Sequence, residues 1–445
     1  MSVLLVFRTY ADVDHVVPVA WKLLERGEEV HGLVSTGYDP RSDYRLRFLE
    51  RYDNFHLHEV WPRRGGRLRR VLVAPVGWAR NLLPWSFWFL LRHRVRLAAV
   101  EWGHGVVDAY EPRLSLRAAA RLVKDLLVSV RDAGREPLIL RSNLIVAAWF
   151  LRRRLVCLPH GLNVKLDAIT TEAAALALEH GPYPWTDQNR FDAYVLNTEH
   201  HRQWHIDHAS GDPAVMQTWG SARWSPEWVE VNRRIAPPFE WPEPAVDRVK
   251  VVLMVPKWKK RVRAEAVVDL VKRLQDLDCV SLAIKGHPRP EDGSADPLRA
   301  DSDLDWQRIH DVTGVDSISL IRACDVVIDA GSSIGIEAVM QGKVLVNPSY
   351  VHEIRTLFDE IEGAAVVAES SSEVIAYLRR HASGSPHEVS SEGRAELMRR
   401  AVYASRPERF DVPQHYADRI VALAGGHLES HAREARTVPD TAVRR

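Results

Sequence analysis

Apolar residues fall along this chain in two alternating patterns. Short runs that are apolar at nearly every position read as strands buried on both faces. They are Ser2–Phe7, Val30–Ser35, Leu97–Trp102, Pro137–Leu140, Leu155–Leu158, Phe191–Asn197, Val215–Trp219, Val249–Val255, Val280–Ile284, Val326–Ile328 and Val344–Val346. Between them, apolar residues recur three and four apart, the spacing of an amphipathic helix. Such stretches predict helices over Val16–Arg26, Leu114–Ala133, Asn143–Leu151, Glu199–His208, Arg263–Leu277, Ser317–Ala323, Ile334–Gln341, Val351–Phe358, Ser371–Arg380 and Tyr416–Leu423. Gly27 and Gly342 supply C-terminal stops. Strands alternating with helices predict parallel sheets covered on both faces, an α/β fold.

Residues Pro237–Pro244 (PPFEWPEP) break this alternation and read as an extended linker. A chain of 445 residues is expected to form two domains. The expected division is a first domain over 1–236, a second over 247–424, and a polar, disordered tail over 425–445.

Composition narrows the possible functions. Sixty Lys and Arg balance 59 Asp and Glu, for a net charge of +1, so the molecule as a whole is not built to bind polyanions. Three cysteines lie far apart, without a disulfide framework or a zinc-ligand spacing, as expected in a reducing cytoplasm. The first residues read as a strand rather than a signal peptide. No segment reaches the roughly 18 apolar residues of a membrane span.

One region departs from the charge balance: no acid occurs between Pro62 and Val100. Arginines, including Arg67, Arg70 and Arg92, alternate there with Trp85, Trp88 and other large apolar residues. Basic heads beside an aromatic face suit an anionic bilayer surface, here the inner face of the plasma membrane. Two surface helices with tryptophans in the core are the plain alternative. Recognition patterns for RNA or DNA are absent, and no nucleic-acid partner is expected.

The densest chemistry lies between Cys324 and Pro348. A strand ends at Asp329, a small turn Ala330-Gly331-Ser332-Ser333 follows, and a helix carrying Glu337 comes next. A glycine-serine turn entering a helix suits an anion, because backbone N–H groups and hydroxyls converge there. Ordinary N-capping by serine explains the same residues more simply. Upstream, Lys285, His287 and Arg289 follow the strand Val280–Ile284, at the end where open parallel sheets bind ligands. Such groups suit a diphosphate or a nucleotide phosphate.

The pair of motifs, Lys285-Gly-His287-Pro and Ser332-Ser333 after successive strands, resembles the C-terminal half of bacterial GT-B transferases of surface polysaccharides. These include the CDP-glycerol glycerophosphotransferases, the GT-B sialyltransferases and the Kdo transferases of capsule export. The resemblance spans about Lys250–Phe358. It implies a GT-B fold, two Rossmann-like doubly wound domains facing a cleft. It also implies that His287, Ser332 and Ser333 hold the donor's phosphate. Similarity to the wider group that includes the UDP-GlcNAc 2-epimerases implies a ribose contact for Glu337. In GT-B proteins a last helix crosses back to the first domain.

In the first domain no G-x-G-x-x-G follows the first strand, so a dinucleotide site there is unsupported. Arg8–Asp14 reads instead as a loop leading to His15-Val-Val-Pro18, which is similar to the His-x-x-Pro of some GT-B glycosyltransferases. His160, after Leu155–Leu158, resembles the His-Gly of the glycerophosphotransferases. One of Asp14, His15 and His160 would then deprotonate the acceptor; an N-cap by Asp14 with a solvated His15 remains open. Gly220-Ser-Ala-Arg223 is similar to a cleft-facing turn of the capsule-type relatives. His201, His205 and His208 have metal-ligand spacing but no third ligand type beside them, so stacked or solvated rings are expected.

These readings predict a metal-independent transferase with no cofactor beyond its nucleotide-activated donor. It would move a sugar or polyol phosphate to a glycan or lipid-linked acceptor. Two alternatives are a sugar-nucleotide 2-epimerase, whose double glutamate is here Ile336-Glu337, and an inactive scaffold.

Overall fold

The computed structural model describes residues 1–7, 10–34, 40–59, 83–101, 138–159, 161–162, 164, 166, 189, 191–208, 211–242, 247–258, 262–286, 296–385, 389–407 and 409–426. By packing, the chain divides into two units. Unit 1 is Met1–Gly161, Pro182–Ser225 and Tyr403–Arg445; unit 2 is Leu162–Gly181 and Pro226–Val402. The first crossing after residue 182 therefore falls at Ser225, ahead of the Pro237–Pro244 stretch.

Among the described residues, unit 1 is built on seven parallel strands: β1 (Ser2–Phe7), β2 (Glu29–Val34), β3 (Phe55–Glu59), β4 (Leu97–Glu101), β5 (Arg154–Leu158), β6 (Ala193–Leu196) and β7 (Met216–Thr218). They lie side by side in the order β3-β2-β1-β4-β5-β6-β7. β1 and β6 are buried along their whole length, as continuous apolar runs in a parallel sheet require. The order reverses between β1 and β4, which makes their carboxyl ends the topological switch point of this unit.

Unit 2 repeats the plan with β8 (Val249–Met254), β9 (Val280–Lys285), β10 (Ile309–Asp311), β11 (Val326–Asp329), β12 (Val344–Pro348) and β13 (Val366–Ala368). Their order is β10-β9-β8-β11-β12-β13, all parallel, with the switch point between β8 and β11. Leu270, Val271, Leu274, Val374 and Leu378 cover one face from the helices Ala264–Gln275 and Ser371–Ala382.

Three expected elements differ. The first helix runs Tyr10–Glu25 and contains Pro18, where a loop was expected over Arg8–Asp14. An interior proline costs a helix about 3 kcal/mol. Here Val13, Val16, Val17, Ala20, Leu23 and Leu24 are all buried along one helix, enough apolar area to carry it through. The expected strand Pro137–Leu140 instead opens the helix Leu138–Phe150, the ambiguity of a short apolar run. Val351–Phe358 is not one helix. A tight turn at Ser349–Val351 and a short helix at Leu357–Glu360 flank His352, which bridges to Val262.

The last helix, Val412–Gly425, belongs to unit 1 and packs on the helix Tyr10–Glu25. Tyr416 donates its hydroxyl hydrogen to the Gly220 carbonyl at 2.7 Å, and Arg419 donates to Gln217 at 2.8 Å. His415 lies edge-on to Trp219 and Phe410. Burial, with Arg406 and Arg419 nearby, lowers its pKa from 6.5 to about 4. Below pH 6.5 the unfolded chain gains a proton that the folded chain declines until about pH 4, so unit 1 loses stability as pH falls through that window. His415→Gln is expected to flatten that part of a urea-denaturation profile against pH. An unchanged profile would assign the loss to other groups.

Candidate functional site

The site in unit 2 is organised by β11. Its last residue, Asp329, is buried, and its carboxylate accepts from the Ser332 backbone N–H at 2.8 Å and the Ser332 hydroxyl at 2.7 Å. Ser332 Oγ in turn accepts from the Ile334 N–H at 3.3 Å. These bonds bend the chain sharply from strand to the helix Ile334–Met340. Gly331 sits at φ +74°, in the left-handed region. A Cβ there would stand 2.8 Å from Thr356 Cγ2 and 3.5 Å from the His352 ring, so only glycine fits. Thr356 is itself fixed, its N–H and hydroxyl both donating to Asp359. Ser333, half-exposed at the start of the helix, has no hydrogen-bond partner for its hydroxyl among the described residues.

This turn stands at the carboxyl end of β11, beside the end of β8, where the strand order reverses. Open α/β sheets bind ligands at such a point. Within the turn the two serines differ. The Ser332 hydroxyl bonds within the bend, donating to Asp329 and accepting from the Ile334 N–H, whereas the Ser333 hydroxyl takes no part in holding it.

Other expected contacts lie elsewhere. Lys285 ends β9 and is buried, and its ammonium donates to the carbonyls of Thr313, at 3.1 Å, and Val315. It ties β9 to the segment after β10, on the side of β9 away from β8, and burial pushes its pKa down. Glu337 is buried one turn into the helix, its Oε1 accepting from Gln341 at 3.2 Å. His287 and Arg289 lie outside the described residues, as does His160. To the residues expected from sequence the structure adds Asp329, His352 and Thr356. The spacing Asp-x-Gly-Ser at a strand end is the signal that marks Asp329.

In unit 1, Asp12, Asp14 and His15 lie on the first turns of the helix Tyr10–Glu25, not in a loop, and all three are buried. The guanidinium of the buried Arg45 donates to Asp14 and, at 3.0 and 2.6 Å, to Asp43. Arg223 lies 3.2 Å from the other Asp14 oxygen. Both Asp14 oxygens therefore face guanidinium groups. The Gly-Ser-Ala-Arg223 turn therefore meets the helix that carries Asp14. His15 packs edge-on against Trp224, with ring centres 5.3 Å apart. Of the helix Glu199–His208, His205 is buried against Tyr194 and Trp204, which is the stacked-ring arrangement.

The arginine-rich region is described from residue 83 onward, so Arg67 and Arg70 fall outside it. Trp85 is half-buried against Phe89 and the core. Trp88 is 51% exposed, with Arg92 over its ring, and Leu91 beside it is 52% exposed. Trp149 and Phe150, on the helix packed alongside, are 48% and 62% exposed. Among the described residues no helix is long and apolar enough to cross a membrane.

No protein-family model and no curated protein matches the chain. Solved structures do match it. A putative UDP-N-acetylglucosamine 2-epimerase from Listeria monocytogenes superposes at a TM-score of 0.54, with 11% identity over 96% of each chain. The S. aureus MnaA–UDP structure gives 0.52, with 10% identity over 96% of each chain. The UDP-GlcNAc 2-epimerase from Neisseria meningitidis bound to UDP-GlcNAc gives 0.51, with 10% identity over 96% of this chain and 100% of that one. At such identity the likeness is one of fold, and the fold is the GT-B type of paired α/β units.

Removing Arg45 leaves two buried carboxylates, Asp14 and Asp43, without their shared cation. Arg45→Ala is expected to cost about 3–5 kcal/mol of stability in urea denaturation. A loss under about 1 kcal/mol would show the cluster to be marginal.

Proposed function

We propose that this protein is an enzyme that takes a nucleotide-activated donor and transfers its sugar or polyol phosphate to a glycan or lipid-linked acceptor. The observation that supports this most is the Asp329–Ser333 turn, pinned by Asp329 at the switch point of unit 2, with the half-exposed Ser333 at the start of the helix that follows. An anionic leaving group gains most from donors already fixed in place. In this reading the turn holds the donor phosphates, with His287 and Arg289 completing the set. Lys285 acts as a structural tie. Because Asp14 is engaged by two arginines, the acceptor's proton goes to His160 or His15.

The second reading, a sugar-nucleotide 2-epimerase, is favoured by the names of the structures that superpose on the whole chain. Ile336 before Glu337, in place of the double glutamate, argues for transfer. Incubation with UDP-GlcNAc alone, followed by NMR, separates the two, because an epimerase needs no acceptor to convert it.

A thermal-shift panel of UDP-, GDP-, CMP- and CDP-linked compounds tests the donor site. At least one is expected to raise the melting temperature, and Ser333→Asp, which sets a carboxylate against the phosphate, is expected to remove that shift. No shift with any nucleotide, or a shift indifferent to Ser333→Asp, contradicts the proposal.

The exposed Trp88, Leu91, Trp149 and Phe150 support an anionic membrane surface as a further partner. Co-sedimentation with anionic vesicles at low salt is expected, and it should drop in a Trp88→Ala/Phe150→Ala variant. Equal recovery of both proteins would remove this partner.

A further inference from the structure

Four histidines converge on one face of the unit 1 sheet, near its edge. β2 and β3 run parallel with His31 opposite His56 and Leu33 opposite His58. Side chains two residues apart share a face, so His56 and His58 lie on the side where His31 is buried. His93, immediately after the helix Leu83–Arg92, closes over them. The His31 and His93 ring centres are 4.5 Å apart, and those of His58 and His93 are 4.9 Å apart. Among the described residues, His31, His58 and His93 are the group whose potential ligand atoms all lie within 4.8 Å of one another.

The orientation of His31 is specific. Its Nδ1 faces His58 Nε2 at 3.0 Å. Its Nε2 is buried without a hydrogen-bond partner, with Glu29 Oε1 3.4 Å away. The same carboxylate oxygen is 3.5 Å from His56 Nε2.

We propose that His31, His58 and His93 bind a first-row divalent cation, zinc in the first instance, through His31 Nδ1 and His58 Nε2, with Glu29 orienting His31 from its other nitrogen. Zinc with ligands at about 2.0–2.1 Å places tetrahedral nitrogens roughly 3.3 Å apart. The spacings here, 3.0 Å and within 4.8 Å, reach that value by small ring rotations. Imidazole donors suit zinc, copper and nickel. A carboxylate accepting from the far nitrogen of a ligating histidine is the usual outer partner. The site lies along the strands rather than at their carboxyl ends, so its effect is on the fold. The ion fastens β3, the outermost strand of this sheet among the described residues, and the helix Leu83–Arg92 to β2. The sequence signal is His56-x-His58 within a strand, which the period of two turns to one side.

The test uses untagged, full-length protein stripped with a chelator and titrated with zinc by calorimetry, with cobalt absorption as a second readout. One equivalent is expected to bind and to raise the melting temperature. His58→Gln/His93→Gln is expected to weaken binding by at least about 100-fold, and Glu29→Gln by about 10–100-fold. His205→Gln, on a different helix, should bind as the parent does. If circular dichroism shows the double variant unfolded, His93→Gln, altered at a half-exposed helix end, gives the same reading. Absence of stoichiometric zinc binding, or binding that survives loss of these histidines, overturns the proposal.

Discussion

The carboxylate of Asp329 is buried at the end of a central strand, where an acid needs partners to remain. It finds them three residues on, in the Ser332 N–H and hydroxyl. That pairing makes the chain turn where it does and forces Gly331 into the left-handed region against His352 and Thr356. It also delivers the helix start and Ser333 to the point where the strand order of unit 2 reverses. The side chains nearest the candidate ligand thus inherit their positions from a polar contact beneath them.

Unit 1 uses buried polar groups differently. Asp14, Asp43, Arg45 and Arg223 form a cluster of two acids and two arginines largely inside it. Such clusters add little net stability but penalise any arrangement that separates them. This one fixes the Tyr10–Glu25 helix against the segment that carries Arg45 and against the Ala222–Trp224 turn. Trp219 and Trp224, fully buried, fill the space around that turn, and the returning helix Val412–Gly425 covers Trp219 through Tyr416.

Much of the fold was legible because parallel strands buried on both faces are continuous apolar runs. β1, β8, β9, β11 and β12 stand within two residues of their expected bounds. β3, Phe55–Glu59, was missed because an edge strand rich in histidine lacks that signature. The proline in the first helix hid two turns of it, since local propensity there is overridden by burial of six apolar side chains. At the candidate site, the Gly-Ser-Ser turn could be read from residue types alone. The division of labour between Ser332 and Ser333 could not, because it depends on which hydroxyl meets Asp329. Lys285 shows the same limit: its place at a strand end was legible, but not that Thr313 and Val315 take its donors.

The proposed donor site requires the Asp329–Ile334 segment to contact a nucleotide's phosphate. Hydrogen–deuterium exchange of the intact protein, with and without saturating UDP or CDP, reads that contact directly. Slower exchange of the backbone amides from Gly331 to Ile336 on nucleotide addition is the result the account requires. Unchanged exchange there, with protection arising only in residues 1–225, would contradict it.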